Sequence, residues 1–300
     1  MNISLKQLRV FVAITQDKTI TAAAKNLFLS KAAVSMALAE MEKQIGHDLF
    51  DRVNNRLVLN QQGHQLLPLA DELLHRAQDI DQLFVDDQPL HGQLHLGASD
   101  TIGNQVAPFL LRDFRSEHGH HAQSLLISNT SQICQKLVDY ELDIALVEGK
   151  TQHPQLTTEQ WRLDEMCIIA APTHALVAHA LTTQKPLEVS NLEGSDWILR
   201  EAGSGSREFF LQRIAPRIDT WADAFQLNTT EAIINAASAN LGLACLSHRS
   251  AKWAIADGRV VPLNLPLDMQ RRFWLLMHKE RYQSPLLKAF RQFCLEWDGE

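Results

Sequence analysis

Residues 19–42 read Thr19-Ile-Thr-Ala-Ala-Ala-Lys-Asn-Leu-Phe-Leu-Ser30-Lys-Ala-Ala-Val-Ser-Met-Ala-Leu-Ala-Glu-Met-Glu42, and they decide the fold of the N-terminal region. Thr19 is a good N-cap for a helix over Ile20–Leu27, which is rich in alanine, the strongest helix former. Phe28-Leu29 makes a turn. Ser30 then caps a second helix, Lys31–Ile45, with Val34, Leu38, Met41 and Ile45 facing inward and Gly46 in the place of a C-terminal glycine. Two short helices joined this way form a helix-turn-helix, and the small residues Ala22, Ala23, Ala24, Ala32 and Ala33 let them cross closely. The leading turns of the second helix would then fit the major groove of duplex DNA. Ser30, Lys31, Ser35 and Met36 are the outward candidates there, with Thr21 and Ala32 beside them.

Working outward, Leu5, Leu8, Phe11 and Val12 share one helical face, so Ser4–Gln16 is read as a preceding helix. On the other side, Arg52-Val-Asn-Asn-Arg56-Leu-Val-Leu59 alternates around Asn54-Asn55 as a hairpin, because asparagine tolerates positive φ. Arg52 and Arg56 stand like a wing placed for phosphate or minor-groove contact. The residues alone equally allow a small three-helix bundle that serves only in assembly.

Asn60 can cap a long helix, about Gln61–Asp86, in which Leu66, Leu69/Ala70, Leu73, Ala77, Ile80 and Phe84 recur at three- and four-residue steps. So narrow a stripe suits a partner helix from a second copy, or packing against the next domain. Asp86-Asp87-Gln88-Pro89 ends it as a hinge. Beyond Gln93 strands and helices alternate: strands at Gln93–Gly97, Ser124–Ser128 and Asp143–Val147, with helices at Gly103–Glu117 and Thr130–Tyr140 between them. A second set follows, with strands at Met166–Ala171, Trp197–Arg200, near Phe225–Leu227 and at Gly242–Leu246, and helices from Ser206 and over Thr230–Asn240. A strand at Arg272–His278 and a helix at Pro285–Trp297 close the chain. This rhythm predicts two α/β units with parallel strands and a cleft between them, where small molecules bind.

Four polar loops lie at expected strand ends: Ser99-Asp100-Thr101, Ser128-Asn129-Thr130-Ser131, the Arg200–Arg207 run with Gly203-Ser204-Gly205-Ser206, and Asn228-Thr229-Thr230-Glu231. Facing one cleft, they would aim hydroxyls and the unpaired N–H groups of helix N-termini at a common anion. Gly203 and Gly205 would let backbone approach the ligand closely. Taken singly, each hydroxyl is as well explained as an N-cap. Arg207 supplies charge to the site or pairs with Glu208 or Glu231. The run lacks the spacing and lysine of a Walker loop.

Composition agrees with a globular chain: 300 residues, 45% apolar and 21% charged, about two domains by length. No apolar run is long enough to span a bilayer, and Lys6 and Arg9 interrupt Met1–Ile14 as a signal peptide, so a cytoplasmic protein with no membrane partner is expected. The four cysteines are scattered and lie in apolar runs, which reads as core packing in a reducing compartment. The net charge of −7 hides an asymmetry, because residues 1–60 carry a balance of +3 and the remainder −10. A basic head on an acidic body suggests that one end meets a polyanion. His118-Gly-His120-His121 is read as solvated surface rather than a metal site. No catalytic spacing is found, so an enzyme is not expected, and neither a metal nor a bound cofactor.

The ordered series Leu5-x-x-Leu8-x-x-Phe11, Thr21-Ala22-Ala23-Ala24-x-x-Leu27-x-Leu29-Ser30, Ala33-Val34-Ser35, Leu38, Met41-Glu42, Gly46, Leu49-Phe50-x-Arg52 and Gly63 resembles the N-terminus of LysR-type transcriptional regulators. The likeness continues through the long helix into Gln93-Leu-His-Leu-Gly97-Ala-Ser99 and covers the whole chain. It implies an α/β protein with a winged helix-turn-helix at 1–60, a dimerising linker helix and hinge at 61–90, and a bilobed, periplasmic-binding-protein-like effector domain at 91–300. Lobe 1 would take about 91–161 and 266–300, and lobe 2 about 162–265. The implied partners are double-stranded promoter DNA, a second copy or three more in a homodimer or homotetramer, and RNA polymerase. Lys31 stands where many members have glutamine, and it cannot make glutamine's paired contact to adenine. Thr101-Ile-Gly103-Asn104, Val147-Glu148-Gly149, Ile198–Glu208, Glu231-Ala-Ile and Cys245-Leu-Ser247 resemble the YeiE-type branch, and more loosely CysB-like regulators. That branch implies a small co-inducer of the sulfite- or sulfate-like oxyanion kind, and the polar loops above offer Ser99, Asp100, Thr101, Ser128, Asn129, Thr130, Gly203, Ser204, Gly205, Ser206 and Glu231 as the residues to hold it.

Overall fold

In the computed structural model, residues 3–54, 56–82, 90–149 and 151–299 are described. The head consists of α1 (Leu5–Asp17), α2 (Ile20–Asn26) and α3 (Lys31–Ile45), then a hairpin of β1 (Phe50–Val53) and β2 (Arg56–Leu59). Each helix starts where its cap predicts. Ser4 makes a capping box with Gln7, the Thr19 hydroxyl accepts from Ala22 N–H at 3.1 Å, and the Ser30 hydroxyl accepts from Ala33 N–H at 3.1 Å. Gly46 ends α3 at φ 81°, and Asn54 turns the hairpin at φ 48°; Asn55 lies outside the described residues. Phe11, Ile14, Val34 and Met41 are fully buried at the centre of this head.

The linker helix α4 (Gln61–Gln82) starts from Asn60, whose side-chain carbonyl accepts from Gly63 N–H at 2.9 Å. Gly63 allows close contact, since a Cβ there would lie 2.3 Å from the Leu49 carbonyl. The expected stripe divides. Leu67 and Ala70 turn inward against the head, so Ala70 is not part of a seam, whereas Leu69, Leu73 and Ile80 are exposed on the single chain. Phe84 and the expected hinge at 86–89 lie outside the described residues.

The body begins with β3 (Leu94–Ala98), α5 (Asp100–Gln105), α6 (Ala107–His118), β4 (Gln123–Ile127), α7 (Thr130–Val138) and β5 (Ile144–Glu148). The single helix expected at Gly103–Glu117 is two. Val106 at φ −125°, ψ −51° breaks the run, and Pro108 falls in the first turn of α6, where its missing N–H leaves no bond unmade. Next come β6 (Leu156–Ala170), α8 (Ala175–Thr183), β7 (Ser195–Arg200), α9 (Gly205–Arg213), β8 (Trp221–Leu227), α10 (Thr230–Ser238), β9 (Leu243–Ser247), α11 (His248–Ala256), β10 (Val261–Leu263), β11 (Gln270–His278) and α12 (Pro285–Glu296). The periodicity does not mark α8, α11 or β10, and it starts β6 late, at Met166.

All of these strands join one nine-stranded sheet, ordered β4-β3-β5-β11-β6-β9-β7-β8, with β10 beside β6. At one end β4, β3 and β5 run parallel, and at the other β9, β7 and β8 do so. The antiparallel strands β11 and β6 cross between the two sets. Each half is packed on both faces by helices, around Phe114, Phe273 and Phe290 on one side and around Trp197 and Phe210 on the other. His120 is part of this structure. It is buried, with its ring Nε2 2.9 Å from the Gly92 carbonyl oxygen, and is not solvated surface as the sequence suggested.

The head is seated on its own body. Tyr140, at the end of α7, packs into the head's apolar cluster, while its carbonyl accepts from the Gln16 side chain at 3.1 Å. Lys18 pairs with Asp139 at 2.9 Å, and on α4 Asp71 pairs with Arg281 at 3.0 Å and Asp79 accepts from the Tyr282 hydroxyl at 2.9 Å.

Candidate functional site

Two regions gather the residues singled out by sequence. On the head, Thr21, Ser30, Lys31, Ala32, Ser35, Met36, Arg52 and Arg56 are all exposed, while Val34, Leu38 and Met41 of the same region are buried. The leading end of α3 and the tip of the hairpin therefore present hydroxyls and cations to solvent. The sequence marks one further residue there only as part of the turn. Phe28 is 96% exposed and sits at φ 54°, closing α2 with the left-handed residue that usually is glycine or asparagine. A bulky side chain in that conformation costs about 1–2 kcal/mol. Phe28→Asn is expected to stabilise the protein by about 0.5–1 kcal/mol in denaturant titrations.

In the body, the polar loops meet where the two halves of the sheet face each other. Ser99 Oγ accepts from Glu148 N–H at 3.0 Å, and Thr101 N–H donates to Glu148 Oε1 at 2.6 Å. Thr130 Oγ1 donates to the Glu148 carbonyl at 3.2 Å. Across the cleft, Arg200 reaches Asp100 at 3.2 Å and also holds Glu201, Thr230 donates to Asp100, and Asn129 donates to Glu201 at 3.2 Å. Asp100 thus turns to the opposite half and is bound by a guanidinium there. Gly203 and Gly205 do allow a close backbone approach, but to the facing half. A Cβ on Gly203 would lie 2.7 Å from Ser131 Oγ, and one on Gly205 would lie 2.6 Å from Glu148.

At the centre is Arg271, on the crossing strand β11. It is buried, and donates to Asp164 at 2.7 Å, Glu148 at 3.0 Å, Ser206 at 3.3 Å and Thr101 at 3.2 Å. Burial alone would raise the Glu148 carboxyl, but Arg271, the Thr101 donors and Arg200 outweigh it and hold its pKa below the ordinary value. A cavity of about 620 Å³ opens beside this cluster, lined among others by Thr130, Gly203, Gly205, Glu148, Arg271 and Arg272.

Two expected members are elsewhere. Ser128 is half-buried and its hydroxyl bonds Gln132, and Glu231 is exposed and pairs with Arg259 at 3.5 Å. Arg207 pairs with Asp223 at 2.8 Å, not with Glu208 or Glu231. The sequence does not single out Arg271 or Asp164, because each has polar neighbours, Gln270 and Arg272 in one case and Glu165 in the other. Among the described residues no three His, Cys, Asp or Glu side chains are grouped as a metal site. Burial pushes the Cys134, Cys167, Cys245 and Cys294 thiols up, Cys167 to about 12, which keeps them protonated and unreactive.

Residues 5–64 match the bacterial regulatory helix-turn-helix protein, lysR family, and residues 87–299 match the LysR substrate binding domain. The chain belongs to the LysR family. It is a LysR-type transcriptional regulator with an effector-binding domain, and the family is one of regulators, not enzymes. It is 34% identical over 295 residues, 98% of each chain, to the uncharacterized HTH-type transcriptional regulator YeiE of Escherichia coli (strain K12). A full-length OxyR variant from Pseudomonas aeruginosa shares the fold of this LysR chain with a TM-score of 0.74 at 20% identity, covering 98% of this chain and 94% of that one. The Synechocystis PCC6803 CcmR regulatory domain in complex with 2-PG matches the body with a TM-score of 0.59 at 21% identity, covering 68% of this chain and 96% of that one. No described helix is long and apolar enough to cross a membrane.

Proposed function

We propose that this regulator binds promoter DNA as a cytoplasmic homo-oligomer, through α3 in the major groove and the β1–β2 wing on the backbone, under control of a small anion held between the two halves of its body. The observation that carries the reading is the open leading end of α3, where Lys31, Ala32, Ser35 and Met36 are exposed while Val34, Leu38 and Met41 anchor the helix in the head. The exposed Leu69, Leu73 and Ile80 support pairing of linker helices between copies, which would present two such ends to grooves about 34 Å apart. A dimer satisfies that geometry, and a tetramer doubles it, with RNA polymerase as the partner once the promoter is occupied.

The body's ligand is assigned to the cleft around Thr101, Thr130, Gly205, Ser206 and Arg271, where donors from both halves converge. A regulatory domain of the same fold holds 2-PG, which supports an anionic effector of the oxyanion class. Such an effector shifts DNA binding by its differential affinity for the two assemblies, typically about 1–3 kcal/mol.

The test is a gel shift on upstream intergenic DNA across a salt series. Affinity is expected to fall steeply with salt, because each neutralised phosphate releases counterions. Arg52→Ala should weaken binding to all sequences by about tenfold, whereas changes at Ser35 should alter sequence preference. A flat salt response with both variants binding like wild type would remove the DNA-binding role from these residues.

A further inference from the structure

The cleft already contains an anion, and it is the protein's own. Ser30, Asn129 and Thr229 cap their helices with their side chains, but Ser99 and Ser204, which start α5 and α9 at the cleft, do not. The Glu148 carboxylate lies between those two starts. One oxygen takes the Thr101 N–H at 2.6 Å, and the other takes Arg271 at 3.0 Å and the Ser206 hydroxyl at 3.4 Å. Glu148 is 2% exposed, and Gly205 packs against it too closely to admit a Cβ. Arg271 spends four of its N–H groups on Asp164, Glu148, Ser206 and Thr101. A guanidinium has five, so these four bonds leave one N–H over.

An ionised carboxylate only accepts hydrogen bonds. A ligand entering this cluster therefore meets the guanidinium of Arg271 as donor and one fixed acceptor, since the Ser206 hydroxyl already donates its proton to Glu148. A fully deprotonated oxyanion offers acceptors alone, so it would set bare negative charge against Glu148 in a buried setting. The guanidiniums bonded into the cluster are already matched, Arg271 by both Glu148 and Asp164, and Arg200 by both Asp100 and Glu201, which leaves Arg272 as a further cation of the cavity lining. An anion that keeps an O–H donates it to Glu148 and still accepts from Arg271.

The geometry points to Glu148 as the specificity-determining residue of this cleft, selecting an anion that retains an O–H at neutral pH, of the hydrogen phosphate or hydroxy-acid kind, over one of the sulfate kind. This assignment rests on the proposed effector cleft. Phosphate and sulfate are tetrahedra of similar size that differ in the proton, so the pair isolates the effect. Calorimetric titration of the full-length protein at neutral pH and fixed ionic strength is expected to give at least about tenfold tighter binding of inorganic phosphate than of sulfate, the size of about 1.4 kcal/mol. In Glu148→Gln, whose amide can donate to the ligand, the ratio should collapse or invert. Glu148→Asp keeps the charge and is one methylene shorter. It should retain the phosphate preference, and it carries the test if the glutamine variant does not fold. Sulfate binding as tightly as phosphate to wild type, or a ratio unchanged by Glu148→Gln, would overturn the role of Glu148 while leaving an anion cleft. Absence of binding by phosphate, sulfate and glycolate alike would overturn the anion cleft itself, and this inference with it.

Discussion

Replacing Arg281 with methionine is expected to destabilise the protein by about 3–5 kcal/mol, the range for a buried charge stripped of its partner. Arg281 is 7% exposed, and it binds Asp71 of the linker helix and Asp143 at the entry of β5. Burial raises the Asp143 carboxyl, but Arg281 and His95 outweigh it and hold it down at about 2. With methionine at 281, both carboxylates would remain buried against an apolar side chain. Urea unfolding at neutral pH measures the loss, and adding Asp71→Asn should restore part of it by removing one orphaned charge. A single variant within about 1 kcal/mol of wild type would show that the ion pair does not hold the linker helix to the body.

Acid should loosen the same seat. His278 is buried beside Arg281, and its Nδ1 lies 2.8 Å from the Tyr140 hydroxyl, which donates to it. Burial, Arg281 and His153 lower its pKa to about 4, against about 6.5 in an unfolded chain. Above pH 6.5 the ring is neutral in both states and the full stability is present. As the pH falls from about 6.5 to about 4, the unfolded chain takes up a proton that the folded one refuses. Stability then declines by roughly 2 kcal/mol, after a discount for solvent screening. Below that window His278 contributes no further loss. Unfolding free energies measured across this range check the slope, and His278→Gln should flatten it. An unchanged slope in that variant would assign the acid response to other groups.

Local chemistry made the head legible. Ser4, Thr19, Ser30, Asn60 and Gly46 fix their helix ends through bonds within a few residues, so the boundaries can be read along the chain. Most parallel strands of the body were readable from their apolar residues, but β8, with Asp223 and Gln226 in it and mostly exposed, was legible only near Phe225–Leu227 although it starts at Trp221. The break at Val106 was harder, because Pro108 is as compatible with the first turn of a new helix as with a kink. The centre of the cleft was hardest. Arg271 meets Glu148, Asp164 and Thr101 across 107–170 residues of sequence, and no local pattern encodes such a meeting. Loop glycines and hydroxyls marked where the two halves approach, and only the folded chain shows that a carboxylate of the protein is what they approach.

Every contact described between head and body, from Tyr140, Asp139, Arg281 and Tyr282, is made by the half of the sheet that carries β3, β4 and β5. The half built on β7, β8 and β9 makes none of them. Its swing about the crossing strands β6 and β11 would leave the head of the same chain undisturbed. If the proposed effector draws the two halves together, these contacts do not carry that movement to the head of the same chain.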